Sequence, residues 1–122
     1  MQATSGKYVE LFTGDSKALN VMVVDDNGNA IDLTNAVVTW QLAANNWKSD
    51  PAATAIITKS SATAGQITLA SGSFTVNIVS ADTAGLTEGS YYQEAQVTLS
   101  DGTIGTPLTG TVKIKPNLIA PH

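Results

Sequence analysis

Acid–base work, nucleophile activation and zinc binding rest most often on histidine and cysteine, and this chain has one histidine and no cysteine. The histidine is the last residue, His122, and a Ser-His-Asp constellation hung on a chain end lacks the fixed geometry that base catalysis demands. Asp25 and Asp26 are adjacent, so in an extended strand they leave by opposite faces and do not flank one glycosidic bond. The segment Asp25 to Asp32, DDNGNAID, concentrates oxygen-bearing side chains, as a calcium loop does. An EF-hand needs glycine at the sixth place and glutamate at the twelfth; here Gly28 falls fourth and Ala36 twelfth. The segment is expected to be a hairpin turn around Asn27-Gly28. No Gly-rich phosphate loop or dinucleotide fingerprint occurs. The sequence thus predicts a protein without catalytic residues, cofactor or metal, and not an enzyme.

Contact chemistry is better represented. Trp47 lies in an irregular stretch, AANNWKSDPA (Ala44 to Ala53), beside Asn45, Asn46 and Lys48. An indole among amides and a cation suits a protein or sugar contact; the competing expectation is a lid folded back over one end of the fold. Tyr92, next to Glu94 and Gln96 on an outward face, is expected to be a cross-strand filler or part of an interface. Leu118 and Ile119 sit between two prolines in the tail KPNLIAPH, where they lie along a neighbouring subunit or fray. Asn45, Asn46, Trp47, Lys48, Tyr92, Leu118 and Ile119 are the candidate interface residues.

The elements that position these residues are strands. Apolar residues recur at every second place, with Ser, Thr, Asn or Gln between them. Val38, Trp40 and Leu42 share one face; Phe74, Val76 and Ile78 another; Ala95, Val97 and Leu99 follow Tyr91; Val112 and Ile114 complete the expected core. Turn dipeptides agree at Asn27-Gly28, Ser71-Gly72 and Asp101-Gly102. About seven strands are predicted, at Tyr8 to Phe12, Lys17 to Val24, Ala36 to Ala43, Thr54 to Lys59, Ser73 to Val79, Tyr91 to Leu99 and Thr106 to Lys115, with a short addition at Gln66 to Leu69. A helical turn fits Ala81 to Leu86. In DTAGLTEGSYYQEAQV, a polar turn and two glycines lead into Tyr91, where a tyrosine corner belongs. The predicted fold is all-β: an immunoglobulin-like β-sandwich of about seven antiparallel strands, one domain over residues 1–122 with terminal arms at 1–6 and 116–122.

At 122 residues the chain is long enough to bury about two-thirds of the surface its unfolded form exposes, so it needs no disulfide. Charged residues are 13% and the formal net charge is −4, which opposes loading onto a phosphate backbone or an anionic membrane face. The lysines are scattered rather than interleaved with aromatics, so nucleic acid is not an expected partner. No apolar run approaches the roughly 18 residues of a membrane span, and MQATSGKYVE lacks the build of a signal peptide.

Three segments in order carry a family resemblance: GDSKALNVMVVDDNGNAIDLTNAVVTWQL (Gly14 to Leu42), FTVNIVSADTAGLTEGSYYQEAQVTLSDGT (Phe74 to Thr103) and GTVKIKPNL (Gly110 to Leu118). The chain resembles the Ig-like domain at the N-terminus of tailed-phage baseplate upper proteins and of small free-standing virion proteins. The resemblance implies a non-enzymatic virion building block at the baseplate, tail, neck or capsid surface. It would be assembled in the bacterial cytoplasm and bind other phage virion proteins or further copies of itself as a homo-oligomer. It carries over no catalytic residue, and the chain ends without the receptor-binding extension of the multidomain versions. The alternative expectation is a carbohydrate-binding module that touches host-surface glycans, with Trp47 and Tyr92 as stacking platforms.

Overall fold

A computed structural model gives the fold and describes residues 1–45, 47–49 and 54–116. In chain order the elements are β1 (Gln2–Ala3), β2 (Tyr8–Phe12), β3 (Lys17–Val24), β4 (Val37–Ala44), β5 (Ile57–Ser60), β6 (Ile67–Ala70), β7 (Ser73–Ile78), α1 (Ser80–Thr83), β8 (Gly89–Thr98) and β9 (Ile104–Lys115). They form a four-stranded sheet, β1-β3-β7-β6, and a five-stranded sheet, β2-β9-β8-β4-β5, packed face to face. The molecule is an Ig-like β-sandwich.

Alternation in the sequence becomes the core directly, because side chains two apart leave a strand by the same face. Val38, Trp40 and Leu42 of β4, Phe74, Val76 and Ile78 of β7, Ala95 and Val97 of β8, and Val112 and Ile114 of β9 are all buried, and Leu99 packs against them partly covered. Each large side chain so buried contributes about 1.5–3 kcal/mol. The expected corner is present: the Tyr91 hydroxyl donates to the Thr87 carbonyl at 2.7 Å, tying the start of β8 to the crossover before it. That crossover includes α1, shorter than the expected turn. The Ser80 hydroxyl donates to the Gly14 carbonyl at 2.7 Å, and the Gly14 N–H donates to the buried Thr83 hydroxyl oxygen at 3.0 Å. The Asn27-Gly28 segment is a turn, with the Asp25 carboxylate accepting the N–H groups of Asn27 and Asn29, each at 2.9 Å.

The N-terminus differs from expectation. Met1 to Gly6 is not a free arm: β1 pairs with β3, and Ala3 is fully buried. The chain then changes sheets at Gly6, whose φ of +79° a side chain rarely adopts, and β2 runs parallel to β9. The other strand pairs are antiparallel. Close approach at the switch requires Gly110, since a Cβ there would collide with the Lys7 carbonyl that accepts the Thr111 N–H at 2.9 Å. A register shift between Ala95 and Val97 accommodates two consecutive buried residues of β9, Pro107 and Leu108. Of the expected C-terminal arm, residues 117–122, including Leu118 and Ile119, lie outside the described residues.

Candidate functional site: an aromatic and carboxylate hollow on the five-stranded sheet

β4 and β8 lie side by side, and their register places Ala43 opposite Tyr92 and Gln41 opposite Glu94 on the outward face. Because Ala43 is small, the sheet surface is low there. After β4 the chain makes one 3-10 turn, Trp47–Ser49, which returns the Trp47 indole over Tyr92. The two rings stack with centroids 5.1 Å apart and planes 24° from parallel. Of the two expectations for Trp47, neither end of the sandwich receives it as a lid; it stands on the sheet face as one wall of a hollow. Thr54 and Ala55 form the opposite side, Gln41 and Ala43 the floor, and Glu94 borders it; the volume is about 200 Å³. A second shallow hollow of about 220 Å³ adjoins it along the strands and shares Gln41 and Glu94, adding Thr39 and Gln96.

The electrostatics centre on Glu94. The Tyr92 hydroxyl donates to Glu94 Oε1 at 2.8 Å. Burial and this bond push the Tyr92 phenol up to about 12, so the phenol stays protonated as the donor of the bond. The Lys48 ammonium lies 5.8 Å from the Trp47 ring centroid, within cation–π range. Among the described residues lining the first hollow, Glu94 is the single acid. No group of three or more His, Cys, Asp or Glu side chains converges anywhere among the described residues.

Of the sequence-derived candidates, the fold brings together Trp47, Lys48 and Tyr92. Asn45 is exposed in the turn that leads to them, while Asn46 lies outside the described residues. Sequence reasoning placed Glu94 on the Tyr92 face but gave it no role. It missed Gln41, Ala43, Thr54 and Ala55, which reach the hollow through strand pairing and loop return.

Comparison with known proteins found no matching family model. No curated protein matches either. Among solved structures, the crystal structure of CopC from Methylosinus trichosporium OB3b is similar, with a TM-score of 0.50 and 13% identity over 98% of this chain and 95% of that one. At that identity the likeness shows the fold alone. The expected role is nevertheless corrected: the similar structure is CopC, not a phage protein, no family model or curated protein matches, and a virion building block at baseplate, tail, neck or capsid finds no support. Three near-continuous segments suggested the virion family because turn and corner motifs are demanded by the sandwich itself, whatever the sandwich does.

Proposed function

We propose that this protein is a non-enzymatic recognition module whose hollow takes an organic cation, a guanidinium or alkylammonium group. The observation that carries the reading is the Trp47–Tyr92 stack with the Glu94 carboxylate held at its foot. Aromatic faces attract cations through their quadrupole, and a fixed carboxylate supplies the counter-charge. A chain of net charge −4 also draws cationic partners. The protein's own Lys48, 5.8 Å from the Trp47 ring, occupies part of the field that a ligand would use. Lone proton transfer by Glu94 is not the use favoured here, since that carboxylate is committed as a hydrogen-bond acceptor to Tyr92.

Magnitudes set the strength. A cation–π contact adds about 0.5–2 kcal/mol and a charge-assisted hydrogen bond about 1.5–3, so a single small cation binds with Kd on the order of 1 mM. The test is a titration followed by two-dimensional NMR with tetramethylammonium and with N-acetyl-arginine amide, sodium chloride serving as the ionic-strength control. Both cations are expected to move the Trp47 indole N–H resonance saturably. Glu94→Gln weakens binding about tenfold or more, and Lys48→Ala tightens it about 2- to 5-fold by removing the internal competitor. No saturable shift at Trp47, or equal binding by Glu94→Gln, overturns the reading. A preference for the arginine derivative identifies a basic side chain of a partner polypeptide as the source of the cation; a preference for tetramethylammonium identifies a quaternary ammonium compound.

A further inference from the structure

The outward face of β4 and β8 continues past the two adjoining hollows to an apolar end. Beyond the Gln41–Glu94 row come Thr39–Gln96 and then Val37–Thr98, with Ile104 of β9 on the far side of Thr98. Val37 and Ile104 are 48% and 63% exposed, so this end offers apolar surface to a partner. Between it and the Trp47–Tyr92 stack, Glu94 is the single charge in the β4–β8 rows. The side-chain amides of Gln41 and Gln96 are exposed and take no hydrogen-bond partner among the described residues. On the four-stranded sheet the outward rows, Asn20–Thr75–Thr68 and Ala18–Asn77, are uncharged and their amides are engaged within the chain. There Asn20 Nδ2 donates to Thr75 Oγ1 and Asn77 Nδ2 to the Gly65 carbonyl, each at 3.0 Å. The open amides thus lie on the face that carries the hollow.

We infer, on the reading of the hollow as a cation site, that its occupant is an arginine side chain of an extended partner polypeptide. That segment lies along β4 and β8 and sets an apolar side chain on Val37 and Ile104. Same-face residues of a strand are about 6.6 Å apart, and same-face side chains of an extended peptide repeat at the same distance. A segment aligned with the strands therefore meets one cross-strand row with each side chain that faces the sheet. From Ala43 to Val37 is six positions, about 20 Å, so the arginine and the apolar residue stand six apart and leave the peptide by one face. Arginine suits the first row better than lysine, because its planar guanidinium stacks on aromatic rings and donates two parallel bonds to a carboxylate. Gln41 and Gln96 offer both donors and acceptors to the backbone or to small polar side chains between the two anchors. A net charge of −4 and a single carboxylate in the trough favour a basic segment over an acidic one. A small quaternary ammonium compound would fill the first row alone and leave the amides and the apolar end without a partner.

The test is an NMR titration of the full chain with acetylated, amidated heptapeptides, beside N-acetyl-arginine amide. Each peptide carries arginine at one end, leucine at the other and alternating serine and threonine between, and both orders are made. One order is expected to bind about tenfold tighter than the arginine derivative, a gain of roughly 1.4 kcal/mol. It should move the backbone N–H resonances of Gln96, Thr98 and Ile104 together with the Trp47 indole, and leave Thr75 on the opposite sheet unmoved. Replacing the peptide's leucine by serine removes the gain, and so does the double substitution Val37→Ser and Ile104→Ser in the protein. Matching far-UV circular dichroism verifies that the double variant folds; the serine peptide gives the same readout on the unaltered chain. If the arginine derivative binds at Trp47 but neither heptapeptide gains on it, or the serine peptide binds as tightly as the leucine one, the polypeptide occupant is overturned while the cation site stands. Absence of a saturable shift with every probe overturns both.

Discussion

Gln93 joins two polar atoms inside the apolar layer. Its Oε1 accepts the Trp40 indole N–H at 2.9 Å, its Nε2 donates to the Gly6 carbonyl at 2.7 Å, and both Gln93 and Trp40 are 0% exposed. The amide thus satisfies the largest core side chain and also fixes the point where the N-terminal segment changes sheets. Gln93→Leu keeps the volume and strands both partners, and a buried group left unpaired costs about 1–3 kcal/mol, so the variant should lose about 2–4 kcal/mol in urea unfolding. An unchanged midpoint would show that these bonds carry no stability. The inward parity of Gln93 was legible in the sequence, since it alternates with Tyr91, Ala95 and Val97. Its partners were not, because Gly6 is 87 residues away along the chain.

At the scale of elements, the crossover between the sheets is fastened by more than its tyrosine. Lys59 of β5, 7% exposed, places its ammonium 2.7 Å from Asp82 Oδ2 in α1. That carboxylate oxygen also accepts the Val79 N–H at 2.9 Å and so holds the first turn of α1. Removing one partner of a covered ion pair leaves a charge without its counter-ion. Lys59→Ala should therefore cost about 2–4 kcal/mol, less than a fully buried pair because Asp82 keeps some contact with water. A loss under about 0.5 kcal/mol by thermal unfolding would place the pair among weak surface bridges. Strands long enough to alternate were readable from the sequence, because the period of two is local. The two-residue β1 is too short for that pattern, and nothing local distinguishes the parallel pairing of β2 from an antiparallel one. The start of β5 was placed three residues early for a related reason: Thr54 and Ala55 suit a strand, yet they belong to the wall of the hollow.

The whole molecule is held by burial between two sheets, without a disulfide, and Tyr92 is one source of its alkaline sensitivity. Tyr92 is shifted from 10.0 to about 12 in the folded protein. Between those values the unfolded chain has lost this proton and the folded one retains it, so folding stability is full below pH 10 and falls as pH rises toward 12. Tyr8 is raised in the same direction, by desolvation and by Glu10 beside it. Urea midpoints taken from pH 8 to pH 12 should decline over the upper part of that range, and the decline should be shallower in Tyr92→Phe. Identical declines would remove Tyr92 as the cause. By itself the sequence determined the all-β class, most strands, the core and the tyrosine corner, because alternation and turn chemistry act between residues a few places apart. Tertiary structure alone decided which strands are neighbours and where the loop after β4 returns. The hollow of Trp47, Tyr92 and Glu94 over Ala43, and the uncharged rows of the other sheet, depend on register between distant segments, and register is a property of the packed pair of sheets.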